Sequence, residues 1–390
     1  MAHVSNVDDD VGSSQSLTTA TKRRQLTTSV GTLTTTPPPL LHNLPFDLVA
    51  DNILCRLPVK LLLQLKCVCK SWKYLISDPK FAKKHLRFST KLQRYHIMVN
   101  STLDLKKFLV YDSIISSIFS TSSSVTQTQR ICPVGFNPSD FSTCDGIICF
   151  PIDTTSAVLW NPSIRKLKIL PPLIPAFDER LYCCAYTFGY DHFIDNYKII
   201  GISLYINKKE VSVNTLGTDY WRRIEDFPCS GSIQGKGTFV SGTVNWLAVD
   251  DSCDYAIVSL DLEKESYQYL PLPYHNKVGN NFWSLEVVKD CLCIFANMDM
   301  SLDVLIMKEY GKKESWTKLY NVPYLGLYFH SKALYISEYD QLLMGFYEPG
   351  SSIYKLVVYD SKKCTMKIPN IQNISRRLAV YLESLISPCS

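Results

Sequence analysis

The tightest constraint on this chain is a repeat. Between residues 108 and 369 an apolar strand-like run, a polar turn and then, in most copies, an aromatic or basic residue and a Leu-Pro recur. The copies are FLVYD (108–112), VLWNPSIRKLKILP (158–171), VSVNTLGTDYWRRIEDFP (211–228), IVSLDLEKESYQYLPLP (257–273), VLIMKEYGKKESWTKLYNVP (304–323) and LVVYDSKKCTMKIP (356–369). With Asp112, Asn161, Leu216, Asp261, Tyr310 and Asp360 as turn residues, the steps are 49, 55, 45, 49 and 50. A period near fifty built from short strands is that of a propeller blade. The turn would join the two outer strands of a four-stranded sheet, and the proline would end the outermost one, where no ladder N–H is required. The first copy lacks an inner strand before Asp112, and the β-like run 378–386 has no blade of its own. The C-terminal strand is therefore expected to enter the first blade and close the ring, which removes open sheet edges. Six blades are favoured, with seven allowed if the unit between 172 and 216 hides one more.

Residues 44–86 follow a different period. Pro45 stands at a helix start with Asp47 in the first turn. Leu48, Val49, Ile53, Leu54 and Leu57 follow at near-helical spacing, and Pro58 ends that helix and opens the next. Leu61, Leu65 and Val68 fall at i, i+4, i+7; Trp72, Leu75 and Ile76 make a third apolar turn. Asp78-Pro79 starts a last segment carrying Phe81, Ala82 and Leu86. A bundle of about forty residues buries too little surface to stand alone, and its apolar excess marks a docking surface. No Gly or Pro interrupts 81–94, which predicts a stiff junction to the repeats. Residues 1–41 are Ser/Thr-rich and then Pro-rich without periodicity, the pattern of a disordered tail. The expected organisation is α+β and multidomain: a tail at 1–41, a helical domain at 42–88 and an all-β propeller at 92–390.

Charge separates these parts. From 56 to 94 there are eleven basic residues against the single acid Asp78, a net +10, which leaves −5 on the rest of a chain whose total is +5. Such a run is either a solvated helical face or a surface that steers an acidic partner. Nothing resembling an RNA-binding pattern accompanies it, so nucleic acid is not expected. The 14 cysteines include no C-x-x-C, and the 7 histidines have no H-x₃₋₅-H spacing, so neither a metal nor a cofactor is expected and most of the cysteines read as buried small hydrophobes in a reducing compartment. The first ten residues, MAHVSNVDDD, contain no apolar h-region, and no run of 18 apolar residues occurs. A soluble protein of the cytoplasm, the nucleus or both is expected, with no membrane partner.

Residues 44–86 resemble an F-box: Leu44-Pro45, then Ile53-Leu54-x-x-Leu57-Pro58-Val59, then Val68-Cys69-Lys70-x-Trp72. The remainder resembles the plant F-box-associated interaction domain, often labelled F-box/kelch-repeat. The matching blocks are CDGIICF (144–150), LWNPSIRKLKILP (159–171), TFGYDHFIDNYKII (187–200), YWRRIEDFP (220–228), FVSGTVNWLA (239–248), MKEYGKKESWTKLY (307–320) and YLESLISP (381–388). Kelch repeats carry a Gly-Gly pair in each blade, and none occurs here; the blade period above does not depend on glycine. The resemblance implies a substrate receptor of a Skp–cullin–F-box (SCF) ubiquitin ligase. Such a receptor performs no chemistry: it binds a Skp-type adaptor, through it cullin and a RING subunit, and captures a protein for ubiquitination and degradation. Two alternatives remain open: an F-box scaffold outside a ligase, and a lectin-like propeller.

Adaptor contact would fall to Leu44, Pro45, Leu48, Ile53, Leu54, Leu57, Pro58, Val59, Leu62, Leu65, Val68, Cys69, Trp72 and Ile76. Among these, Ile53 and Leu65 are the expected bundle core, and Leu44, Pro45 and Pro58 the expected interface. The substrate face is open. Propellers bind through loops at one end of the channel, and the candidate loops are 174–182, 230–237, 274–283 and 297–303, with Asp178, Arg180, Tyr274, Lys277, Asn280 and Asp299 as their charged, polar and aromatic members. Trp160, Trp221, Trp246 and Trp316 are expected to pack blade against blade.

Overall fold

The structure is a computed structural model that describes residues 52–101, 109–120, 125, 127–131, 141–174, 181, 183–206, 208–273, 283–298, 301–323, 329–347, 354–371 and 378–389. The expected tail at 1–41 lies outside them. A 3-10 turn at Leu54–Arg56 leads into α1 (Val59–Leu65), α2 (Lys70–Ser77) and α3 (Pro79–Lys91). Each helix start has a local cause. Pro58 precedes α1 with φ −58°, a value its ring enforces. The Cys69 sulfur accepts from the Trp72 amide at 3.5 Å at the head of α2. The Asp78 carboxylate accepts from the Lys80 amide at 2.8 Å, and Pro79 occupies the first position of α3, where its missing N–H leaves nothing unpaired.

The strands form six four-stranded antiparallel sheets. The first contains β1 (Tyr95–Ser101), β2 (Leu109–Ile114), β3 (Thr128–Ile131) and β24 (Leu378–Leu382), with a short helix α4 (Ile115–Phe119) after β2. The second is β4 (Ser142–Cys144), β5 (Ile147–Pro151), β6 (Ala157–Asn161) and β7 (Lys166–Ile169). The third is β8 (Cys183–Asp191), β9 (Asn196–Leu204), β10 (Lys209–Thr215) and β11 (Arg222–Arg223). The fourth is β12 (Ser232–Val240), β13 (Thr243–Val249), β14 (Tyr255–Asp261) and β15 (Tyr267–Leu270). The fifth is β16 (Trp283–Val288), β17 (Cys291–Asn297), β18 (Ser301–Met307) and β19 (Trp316–Pro323), and the sixth is β20 (Phe329–Ile336), β21 (Gln341–Tyr347), β22 (Tyr354–Asp360) and β23 (Thr365–Lys367). The edge strands β24, β4, β8, β12, β16 and β20 contact one another in that order and return to β24, so the ring is closed and has six blades. Middle strands such as β6 are buried along their whole length because blades cover both faces, whereas the outer strand β7 is largely open to solvent.

The side chains behind the repeat are now visible. The carboxylates of Asp261 and Asp360 each accept from the amides two and three residues on, at 2.9 Å and 3.1 Å respectively, and the Asn161 side chain accepts from the Ser163 amide at 2.8 Å. These turns join the third and fourth strands of their blades. Asp112 departs from the pattern: it lies inside β2 and is buried. The Trp-and-proline rhythm is a lock between blades. The Trp221 indole donates to the Pro171 carbonyl of the preceding blade, and Trp316 to Pro271, both at 2.8 Å. Trp246 meets Phe227 of the preceding blade edge-on at 5.6 Å, and Trp160 packs with Met98 and Tyr381 of the first blade.

Ring closure is the pairing of β24 with β1, in register from Tyr95 with Leu382 to Val99 with Leu378. Asp112 clamps it, accepting from the Tyr381 hydroxyl at 2.8 Å and lying 3.1 Å from His96 Nδ1. The chain beyond β24 then crosses to the second blade. The fully buried Asn161 amide donates to the carbonyls of Ser384 and Ile386 at 3.2 and 2.8 Å. A Cβ on Gly146, whose φ is +81°, would stand 2.3 Å from the Leu382 carbonyl, so only glycine fits this crossing. Asn161→Asp keeps the acceptor for Ser163 but loses both donors. It is expected to cost about 1–3 kcal/mol, read as a lowered denaturation midpoint; a variant as stable as the wild type would remove the tether from this account.

Candidate docking site

The helical module is not a free bundle. Leu54, Val59, Leu62, Ile76, Phe81 and Ala82 belong to one apolar cluster with Cys144, Ile147, Leu159, Phe188, Leu385 and Ile386 of the second and third blades and the C-terminal segment. Much of the apolar excess of 44–86 is therefore covered by this chain's own propeller. Polar contacts fix the same junction. The Glu383 carboxylate accepts from the Val59 amide at 2.9 Å, which caps α1 from the far end of the chain. Pro58 supplies no side-chain cap, so this is the acceptor that α1 receives, and a carboxylate suits the positive end of the helix. The Glu383 amide donates to the Arg94 carbonyl at 2.9 Å. Lys83 on α3 binds Asp195 at 2.6 Å and donates to the Tyr190 hydroxyl at 2.9 Å, both at the β8–β9 turn. The Arg94 guanidinium donates to the Leu57 carbonyl at 2.8 Å and to that of Arg56.

The sequence-predicted contact residues divide by exposure. Leu54, Val59, Leu62 and Ile76 are buried; Leu57, Leu65 and Trp72 are half-buried; Pro58 and Cys69 are exposed. Val68 is 66% exposed and Ile53 is 48% exposed. Ile53 is thus a surface residue rather than the core member expected, because the 3-10 turn that follows it directs Leu54 and Cys55 inward instead. Leu65, the other expected core residue, packs only at the edge of the cluster. Leu44, Pro45 and Leu48 lie outside the described residues. Two apolar side chains outside the expected contact set are also exposed, Leu61 at 44% and Tyr74 at 81%. The signal for Leu61 was the run Leu61-Leu62-Leu63, since three successive positions cannot share one helical face.

Basic residues alternate along the chain with these apolar positions. Lys60, Lys70, Lys73, Lys80, Arg87 and Lys91 are exposed. Burial holds the Lys66 ammonium below its ordinary value, and the neighbouring Lys166 of the second blade and Lys73 lower it further. His85 on α3 is fully buried. Burial lowers its pKa below the ordinary 6.5, the Leu57 carbonyl opposes this, and Arg94 adds to it. The neutral ring donates from Nε2 to the Leu57 carbonyl at 2.9 Å, with Ser89 Oγ at 3.5 Å from Nδ1. The candidate loop residues Asp178, Arg180, Tyr274, Lys277, Asn280 and Asp299 lie outside the described residues. Among the described residues no group of three or more His, Cys, Asp or Glu could hold a metal, and no helix is long and apolar enough to cross a membrane.

Residues 41–84 match the F-box domain family, and residues 90–388 match the F-box associated beta propeller domain family. An F-box/kelch-repeat protein of Arabidopsis thaliana is 30% identical over 365 residues, covering 89% of this chain and 96% of that protein. The F-box protein CPR1 of the same plant is 28% identical over 72% of this chain and 73% of its own length. Among solved structures, TolB from Acinetobacter baumannii aligns with a TM-score of 0.48 at 9% identity, over 78% of this chain and 73% of that one.

Two measurements test the junction. Glu383→Ala should cost about 1 kcal/mol and speed amide exchange in α1, while Glu383→Gln should recover part of the loss; equal exchange in all three would exclude the cap. His85 binds a proton more readily in the unfolded chain than in the folded one. Its contribution is therefore complete above the unfolded value near 6.5 and declines as pH falls through and below it. Between pH 7.5 and 5.5 the wild type should lose more stability than His85→Gln; parallel losses would reject a neutral buried His85.

Proposed function

The chain belongs to the F-box proteins that carry an F-box-associated β-propeller, and we propose that it is the substrate-recognition subunit of a Skp–cullin–F-box ubiquitin ligase. One observation carries this reading: a module matching the F-box domain shares its core and its helix cap with a closed propeller. In this reading the module docks on a Skp-type adaptor that links to cullin and a RING subunit. The propeller captures a protein and holds it near the conjugating enzyme. The chain itself supplies no chemistry; it raises the effective concentration of a target lysine, and a stiff connection limits the orientations that must be sampled. Such a subunit works in the cytoplasm, the nucleus or both.

The exposed residues of the predicted set, Ile53, Pro58, Val68 and Cys69, make the adaptor contact together with Leu44, Pro45 and Leu48 and the half-buried Leu57 and Trp72. Leu61 and Tyr74 extend the surface. Leu54, Val59, Leu62 and Ile76 support it from beneath. The exposed basic residues steer the encounter with an acidic face.

The test is co-purification of the full chain with adaptor and cullin. Ile53→Asp combined with Val68→Asp places two charges on the proposed apolar contact. Each lost anchor should cost about 2 kcal/mol of binding, so adaptor capture should disappear while circular dichroism stays that of the wild type. Undiminished capture would refute the docking surface. Adaptor without cullin would point to a scaffold instead.

A further inference from the structure

The inner strands surround a cavity of about 590 Å³, lined by the tips of the β4–β5, β12–β13 and β16–β17 hairpins, by β24 and by Thr90 and Gln93 at the end of α3. Its volume lies within the range of small-ligand sites. Its charges do not balance. Lys236 is paired with Glu286 at 3.7 Å, and Lys289 with Asp340 at 3.3 Å. Two further lining carboxylates, Asp145 and Asp290, have no cation on them among the described residues. Asp145 accepts from the Tyr197 hydroxyl at 2.8 Å. The groups that favour its charged form from outside the cavity are the Tyr197 hydroxyl, His192 and Lys83, and Lys83 is already bound to Asp195 at 2.6 Å.

Two aromatic rings stand in the same lining, Tyr95 and Tyr335, with centroids 5.3 Å apart. The Tyr335 hydroxyl is turned to Gln93 Oε1 at 2.7 Å. The four groups share one electrostatic environment. Burial pushes the Tyr95 hydroxyl up to about 12, with Asp290, Tyr335 and Asp145 adding to it. Burial also raises the Asp145 carboxyl, and Asp290 raises it further. A carboxylate in that setting gains from any cation that replaces its lost water. The rings offer negative faces to a cation, and the carbonyl end of α3 adds a negative helix terminus at the rim.

We propose that this channel mouth is a binding site for an organic cation, an ammonium or guanidinium group held by Asp145 and Asp290 against Tyr95 and Tyr335. The cation is either a free small molecule or a lysine or arginine side chain of a bound protein; both use the same contacts. The site is distinct from the adaptor surface, and its occupancy is measured on the chain alone, so its failure would leave the ligase reading intact.

Calorimetric titration of the full chain with agmatine, with choline and with a Gly/Ser peptide bearing one central arginine tests this. Saturable binding of at least one cation is expected, with none for the neutral 1,4-butanediol. Asp290→Asn should weaken it at least about tenfold, the loss of one charged contact. Asp290 is exposed, so the variant should keep the wild-type thermal midpoint. Tighter binding of the peptide would identify a partner's side chain as the cation, and tighter binding of agmatine or choline a free ligand. No binding at about 10 mM, weaker than any useful affinity, or binding unchanged in both Asp290→Asn and Asp145→Asn, would overturn the assignment.

Discussion

The pairing of β24 with β1 joins the last strand of the propeller to the first, and three other features hang on the few residues at and just beyond its end. Leu382 ends the strand with its carbonyl pressed against the Gly146 turn. Glu383 caps α1, and Ser384 and Ile386 are tied to Asn161. Ring closure, seating of the helical module and attachment of the second blade to the first therefore depend on one short segment. The closure is also strongly non-local, with Tyr95 opposite Leu382, and its loop-closure entropy must be met before it stabilises anything. Asp112 answers this constraint. Its buried carboxylate on β2 holds Tyr381 of β24 and His96 of β1 at the same time.

This arrangement makes the module an extension of the propeller rather than a bead on a string. Its core is shared with the second and third blades, and its first helix is capped by the C-terminal segment. The charge latch from Lys83 to Asp195 is exposed and screened, so it orients more than it stabilises. What remains for a partner is the set of exposed apolar side chains between Ile53 and Tyr74, interspersed in the chain with lysines; burial first, and then Lys166 and Lys73, hold the Lys66 ammonium below its ordinary value.

Reading from sequence reached the architecture because its signals are periodic. The spacing of Asn161, Asp261 and Asp360 reports a turn whose side chain closes its own hydrogen bonds, so the residue type is fixed locally. The missing inner strand and the surplus C-terminal run named each other. Asp112 was misread as a turn residue because an aspartate after FLVY looks the same whether it closes a turn or is buried in a clamp. The exposure of Ile53 was likewise hidden, since a 3-10 turn rotates successive side chains differently from the α-helix assumed.

The chain by itself thus determined the propeller, with six blades favoured over seven, the strand that closes it and the module that precedes it, because each follows from spacing between neighbours along the backbone; the ring of inner-strand contacts fixed the number at six. Only the tertiary structure decided which apolar residues of that module are spent inside the protein and which face outward, because the propeller's own surface competes with any partner for them. It also decided that Asp145, Asp290, Tyr95 and Tyr335 line one cavity. Those four lie as much as 240 residues apart in the chain, and no local pattern connects residues brought together only when the ring closes.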